Sequence, residues 1–397
     1  MSFEPGAPAP PGFVPLCVPE IRGNEGKYVQ ECLDTNFVSS VGPFVDRFER
    51  EFARAVGTKH AVAVINGTAA IHIALLLAGV QPDDEVILPS LTFIAPANAV
   101  RYVGAWPFFV DSEESYWQMD APKLKALLDR KFHRTNSEIR NRDTGRRLRA
   151  LLPVHILGHP VDIQAVGDIA REYDLALIED ATEALGAEYR GKSVGGFGDS
   201  ACFSFNGNKL LTTGGGGMLV TDDDNLARRA KYLTTQAKDN PVEFIHKEVG
   251  YNYRLPNVQS AMGCAQLEQL ASYVGRKREI AHRYSEELGG IPGVTVCSQA
   301  EWASSAFWMY TILVEESAFG MSSRSLMAAL ASARIQTRPL WQPLHLSPAH
   351  SQSDADDCRV AERLYRQGIS LPCSVGLSDT DQTRVIVAIK EASRNSS

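Results

Sequence analysis

No apolar run in this chain approaches the ~18 residues that a membrane-crossing helix needs, so no membrane partner is expected. There is no basic excess either. Lys and Arg number 40 against 47 Asp and Glu, a net charge of -7. A general nucleic-acid binder needs basic surface to displace counterions from phosphates, so that class is excluded. No C-x-x-C spacing occurs among Cys17, Cys32, Cys202, Cys264, Cys297, Cys358 and Cys373, and the histidines lack paired ligand spacing with them. A zinc site and a disulfide scaffold are thereby disfavoured, no metal is expected, and the thiols read as reduced, in a cytoplasmic protein. Met1 to Pro15 lacks a basic start and an apolar stretch, so it is not read as a signal peptide. Residues 1–13 are expected to be a disordered leader or a late-docking arm, and Ala392 to Ser397 a frayed end. No internal repeat is visible.

What is present is ordinary for a globular protein: 44% hydrophobic and 22% charged residues. A chain of 397 residues exceeds what one core usually organises, which predicts about two domains. From Phe44 to Leu233 short β-rich runs alternate with helical patterns. His60–Ile65, Glu85–Leu88, Ala105–Val110, Leu151–His155, Leu175–Glu179 and Met218–Thr221 read as strands. Phe44–Val56, a stretch opening at Asn66, Phe93–Val103, Ala121–Leu128, Asp162–Tyr173 and Asp224–Leu233 read as helices. This alternation predicts an α/β fold with a mainly parallel sheet. Asn257 to Leu288 reads as one long helical stretch, followed by a smaller α+β unit. The expected division is a large domain over 14–265 and a small one over 266–397. Lys131 to Arg149 is rich in arginine and reads as an inserted loop or hairpin. It is either a solvated basic face or a contact for a diphosphate or acidic partner.

The chemistry centres on Lys209. It follows the apolar run Ala201–Phe205 and precedes Gly214 to Gly217. Such a lysine is usually a solvated surface residue. Held at a strand end among close-packed glycines, it can instead lose hydration and become a nucleophilic amine. Asp180 ends another strand-like run; a residue there is often a turn former. With Lys209 it also forms the pair that pyridoxal phosphate needs, an acid for the ring nitrogen and an amine for the carbonyl carbon. Asn66-Gly67-Thr68 opens a helix after a strand, a start that favours an anion, though any helix can begin this way. Phe93 is either a ring-stacking platform or core. Glu183 lies three residues past Asp180, on the same side if a helical turn begins there. Ser204 could reach a phosphate.

Together these stretches make the chain resemble the DegT/StrS nucleotide-sugar aminotransferases, of the aspartate-aminotransferase-type fold. The resemblance runs from about Val14 to near the C-terminus. It rests on Gly42-Pro43-Phe44, Asn66-Gly67-Thr68-Ala69-Ala70, Pro89 to Phe93, Glu179-Asp180-Ala181, Ser204-Phe205 with Lys209, Gly250 to Arg254, and Pro343-Leu344-His345. It implies that Lys209 carries pyridoxal 5'-phosphate covalently and that Asp180 pairs its ring nitrogen. It places Phe93 on the ring face and His155 beside it. Gly67, Thr68 and Ser204 would bind the phosphate, with Asn252 arriving from the second subunit of a homodimer. Glu183 would stand near the ring, and Ser39, Asn206, Arg254, Arg338, Trp341 and His345 would contact substrate. Glu183 and Asn206-Gly207-Asn208 depart from the wider family pattern, leaving contacts around the ring hydroxyl open. Dehydratase relatives carry histidine in place of the lysine, so Lys209 favours transamination.

Within the family the chain looks most like the branch that makes 4-amino-4,6-dideoxy-N-acetyl sugars for bacillosamine and legionaminic acid. The resulting expectation is transfer of an amino group from L-glutamate to C4 of a UDP-linked 4-keto-6-deoxy-N-acetylhexosamine. The alternatives are a GDP- or dTDP-linked 4- or 3-ketosugar, another pyridoxal-phosphate reaction such as a lyase, or a non-catalytic cofactor-binding regulator.

Overall fold

The computed structural model describes residues 11–240 and 242–394. The expected leader lies outside these over residues 1–10, as do the last three residues of the expected frayed end. The C-terminal helix is regular to Arg394.

A large sheet dominates. From one edge it runs His60–Val64, Gly217–Thr221, Ser200–Ser204, Ala176–Asp180, Arg147–Leu151, Glu85–Pro89, Trp106–Val110 and Asp354–Ala355. Pairing is parallel from Ser200–Ser204 through to Asp354–Ala355. It is antiparallel on both sides of Gly217–Thr221. The mainly parallel sheet expected from the alternation is present. Helices cover it, so strands such as Glu85–Pro89 are buried along their whole length. The two reversals at Gly217–Thr221 restore direction. His60–Val64, Ser200–Ser204 and Ala176–Asp180 therefore all end on the same side. In open α/β sheets ligands sit outside these carboxyl ends.

A second, antiparallel sheet joins Val294–Val296, Tyr310–Val314, Gly368–Leu371 and Arg338–Pro339. Its apolar face shares one core with the helices Leu270–Leu288, Ser323–Ser332 and Asp379–Arg394.

Three segments differ from expectation. Asn257–Leu288 is two helices, Asn257–Leu267 and Leu270–Leu288. No glycine or proline marks the break. Glu268 is instead gripped by Asn24, Tyr28 and Arg47 from the N-terminal helices, a long-range cause that no local pattern carries. The strand placed at Leu151–His155 is regular only over Arg147–Leu151. Pro153 lacks an N–H, and pairing resumes as a single bridge between Val154 and Asp180. The helix placed at Phe93 begins at Ala95, leaving Phe93 in the preceding turn.

The basic segment is the hairpin form of the two expected. Phe132–Thr135 pairs Glu138–Asn141, which pairs the start of the Arg147–Leu151 strand. Its charges are largely answered locally. Arg147 pairs Asp84, Lys131 pairs Asp143, Arg140 pairs Glu138, and Arg146 lies over Trp106.

Candidate active site

At the carboxyl edge of the large sheet lies a cavity of about 300 Å³. Its lining includes Gly67, Thr68, Phe93, Glu183, Ser204 and Lys209. Thr182, Asn206, Asn208, Trp308 and Trp341 complete it with Asn66, Ile71 and Ala95. Eight residues singled out in the sequence thus meet here from segments far apart in the chain.

One wall is the start of the Gly67–Leu77 helix. The Asn66 side chain caps it by accepting from Ala69 N at 2.8 Å. The Gly67 and Thr68 N–H groups belong to the first turn, where no intrahelical partner exists, so they favour an anion. Gly67 is required by a close approach. A Cβ there would sit 2.9 Å from Ser204 Cβ and 3.0 Å from Thr182 Cγ2. The helix start is thereby pressed onto the end of the Ser200–Ser204 strand, which brings the Ser204 hydroxyl to the same place.

Lys209 lies on a turn closed by its own N–H bonding Asn206 O at 2.9 Å. The side chain is 14% exposed. Its Nζ stands 3.6 Å from Glu183 Oε1 and 3.9 Å from the centre of the Trp308 ring. The glycine run is not what confines it. Gly217 presses against the backbone of Asn66 and Gly67, and Gly216 against Thr213 and Leu255. The amine is held by an acid and an indole face, both of which attract a cation.

Two buried carboxyls stand near Lys209: Glu183 lines the cavity, and Asp180 lies outside its lining but close enough to feel the Lys209 charge. Asp180 is 1% exposed and accepts from Thr182 N at 3.0 Å. Burial raises its pKa, against hydrogen bonds from Thr182 and the charges of Lys209 and His155. Glu183 accepts from Leu157 N at 2.9 Å. Its pKa is likewise raised by burial, opposed by Lys209. Desolvated acids of this kind seek a proton or a cation.

His155 does not line the cavity. It is fully buried, its Nδ1 accepts from Val161 N at 3.0 Å, and its Nε2 faces Glu179 Oε2 at 3.2 Å. Its backbone N–H bonds Asp180 O at 3.0 Å, so it supports the acid from behind. Glu179 also accepts from Gly195, Phe197 and Gly198 N–H groups. Burial alone would raise its pKa, but His155 and these donors outweigh burial and leave it lowered.

The remaining expected residues stand outside the cavity of this chain. Ser39 and Arg338 are exposed, and Asn252 is exposed with its backbone bridged to Thr235. Buried Arg254 Nε has no hydrogen-bond partner among the described residues. His345 bonds Ser90 Oγ at 2.6 Å and faces Glu362.

Sequence reasoning gave no site role to Trp308, Thr182, Asn208 or Glu179. Trp308 comes from the small-sheet region, 99 positions past Lys209, and no spacing links them. Its Nε1 donates to Asn208 O at 2.7 Å, holding the turn that carries Lys209.

The donor set fits pyridoxal phosphate. Free helix-start N–H groups and two hydroxyls suit a phosphate, a desolvated acid suits a protonated ring nitrogen, and a lysine suits the carbonyl carbon.

Comparison with known proteins agrees. The family model for DegT/DnrJ/EryC1/StrS aminotransferases matches residues 19–390. GDP-perosamine synthase of Caulobacter vibrioides is 40% identical, over 95% of this chain and 98% of that protein. GDP-perosamine synthase of Escherichia coli O157:H7 is 38% identical, over 96% and 98%. Among solved structures, DesV of S. venezuelae superposes with a TM-score of 0.83 at 33% identity, covering 93% of this chain and 94% of that one. The chain therefore belongs to the DegT/DnrJ/EryC1/StrS family and is a pyridoxal-phosphate-dependent aminotransferase of the aspartate-aminotransferase-type fold.

Proposed function

We propose that this chain moves an amino group from L-glutamate to C4 of a GDP-linked 4-keto-6-deoxyhexose. The amine chemistry rests on one observation, the Lys209 Nζ held in the cavity between Glu183 and Trp308 with buried Asp180 near enough to feel its charge. The choice of GDP rests on the relatives. Both GDP-perosamine synthases match nearly end to end, and their names carry a GDP-linked sugar. The GDP-linked alternative is thus better supported than the UDP-linked N-acetyl acceptor first expected.

Pyridoxal phosphate, when bound, supplies an electron sink for the charge that develops at the donor Cα. In our reading the first-turn N–H groups of Gly67 and Thr68, with the Ser204 hydroxyl, bind its phosphate. Asp180 holds a proton at the ring nitrogen. Phe93 covers one ring face and keeps water from it. Lys209 Nζ takes the proton from the donor Cα and returns it in the reverse sense when the sugar is aminated. Glu183 and Trp308 keep that amine in place between the two half-reactions. Asn252, from a second subunit, completes the phosphate contacts.

The test is a substrate panel. The purified enzyme is given L-glutamate with GDP-4-keto-6-deoxyhexose, its dTDP counterpart, or UDP-4-keto-6-deoxy-N-acetylhexosamine, and aminated product is read by mass. A higher kcat/KM for the GDP sugar is expected. A preference for the UDP sugar would overturn the acceptor assignment while leaving the transaminase intact.

A further inference from the structure

Two cysteines from opposite ends of the chain meet beneath the turn that carries Lys209. Cys373 N donates to Leu16 O at 2.9 Å, and Val18 N donates to Ser374 Oγ at 3.0 Å. These bonds set Cys17 beside Cys373. A third group joins them. Lys277 is 2% exposed, and its Nζ lies 3.4 Å from Cys373 Sγ and 2.6 Å from Trp308 O. A buried ammonium against a thiol favours the thiolate.

The cluster touches the catalytic turn twice. Cys17 Sγ donates to Asn208 O at 3.3 Å, the same carbonyl that receives the Trp308 indole N–H. Lys277 donates to the Trp308 carbonyl, as does the Cys373 thiol while it is protonated. Trp308 in turn carries the Lys209 amine. None of the groups Cys17, Cys373 and Lys277 has a part in the transamination argued above.

We propose that Cys17 and Cys373 form an oxidisable thiol pair that closes reversibly into a disulfide under hydroperoxide and loosens the Lys209 turn when it does. The reduced pair is the resting form, since all seven cysteines are free. Its two sulfurs are unequal. The neighbouring Cys17 and the Lys277 amine 3.4 Å away lower the pKa of Cys373 against burial, while the neighbouring Cys373 and burial raise that of Cys17. Cys373 is therefore the attacking thiolate and Cys17 the resolving thiol. Cys17 is partly open to solvent, which gives a water-sized oxidant a way in.

In the first step the Cys373 thiolate attacks the O–O bond of hydrogen peroxide. One oxygen transfers to sulfur as a sulfenic acid, and the other leaves as hydroxide, which takes a proton to become water. Cys17 sulfur then attacks that sulfur, the S–O bond breaks, and a second water leaves with the Cys17 proton. Two thiols are oxidised and one peroxide is reduced to two waters. The new bond consumes the S–H that Cys17 donated to Asn208 O.

The experiment treats the holoenzyme with hydrogen peroxide, alkylates remaining thiols, and maps the non-reduced digest by mass. A Cys17–Cys373 linked peptide is expected. Activity should fall about fivefold or more, the scale of one lost hydrogen bond to the turn, and return with dithiothreitol. C17S keeps a hydroxyl that can donate to Asn208 O, so it should stay active and, although Cys373 can still form a sulfenic acid, should form no linked peptide and keep its activity in peroxide. C373S, read by melting temperature as well as activity, should lose the linked peptide too. Oxidation confined to another cysteine such as Cys297, an oxygen-bridged Lys277–Cys373 product, or equal inactivation of C17S would each overturn the proposal.

Discussion

Lys209 and Asp180 do different work, and single substitutions separate it. Lys209→Ala removes the only amine lining the cavity among the described residues. Transamination should drop by about 10³-fold or more, the scale of a lost general acid–base group. The phosphate contacts proposed for Gly67, Thr68 and Ser204 would be untouched, so cofactor should still co-purify, readable by its absorbance after denaturation. Near-normal turnover would refute the assignment of Lys209. Asp180→Asn keeps the shape and the Thr182 bond but removes the charge that a protonated ring nitrogen needs. The cost should be about 2–5 kcal/mol in the proton-transfer step, as for other buried charge-assisted contacts. Single-turnover kinetics with L-glutamate report it, and unchanged rates would count against the role.

At the scale of elements, the strand Ala176–Asp180 is fixed by the residue before its functional acid. Glu179 points away from the cavity and gathers His155 together with the 195–198 turn. Each of its oxygens receives two donors, so Glu179→Gln must set an NH2 group against N–H groups. The expected loss is about 3 kcal/mol of stability at pH 7. The sign of its pH dependence follows from the lowered pKa. The folded state holds this carboxylate more readily than the unfolded chain does. The stabilisation is therefore complete above the unfolded value near ~4.3 and disappears as pH falls through the folded one. Urea unfolding of both proteins should show the gap at pH 7 and its closure in acid. A gap independent of pH would mean that Glu179 acts by packing alone.

The molecule as a whole leaves part of its expected site unassembled. Asn252, Ser39 and Arg254 do not line the cavity of their own chain. The hairpin region before Asn252 exposes Val242, Phe244 and Val249 at 82%, 67% and 79%. Apolar side chains this bare commonly mark surface that another protein covers. If a second copy covers them, Asn252 serves the neighbour's cofactor phosphate. Asn252→Asp would then set a negative charge there and weaken cofactor binding more than Asn252→Ala does. Mixing Asn252→Asp subunits with Lys209→Ala subunits tests the idea. A heterodimer would hold one site with both lesions and one with neither, and some activity should return. Proven heterodimers without recovery would sink the shared site.

The sequence by itself determined the alternation of strands and helices, because periodicity and turn residues act locally. It also placed Asp180 and Ser204 at strand ends and Gly67 at a helix start. With the resemblance it led to a lysine-bearing pyridoxal-phosphate transaminase. The tertiary structure decided what confines Lys209. Trp308 and Glu183 reach it from other segments, and the glycines credited with that role pack elsewhere. It decided the break at Glu268, where three side chains from distant helices outcompete a helical pattern. It tied His155 to the backbone of Asp180 and to Val161 and Glu179. It also joined Cys17 to Cys373, from opposite ends of the chain. Each of these contacts is made across long stretches of sequence, and its free energy comes from burial and pairing that exist only once the chain has closed on itself.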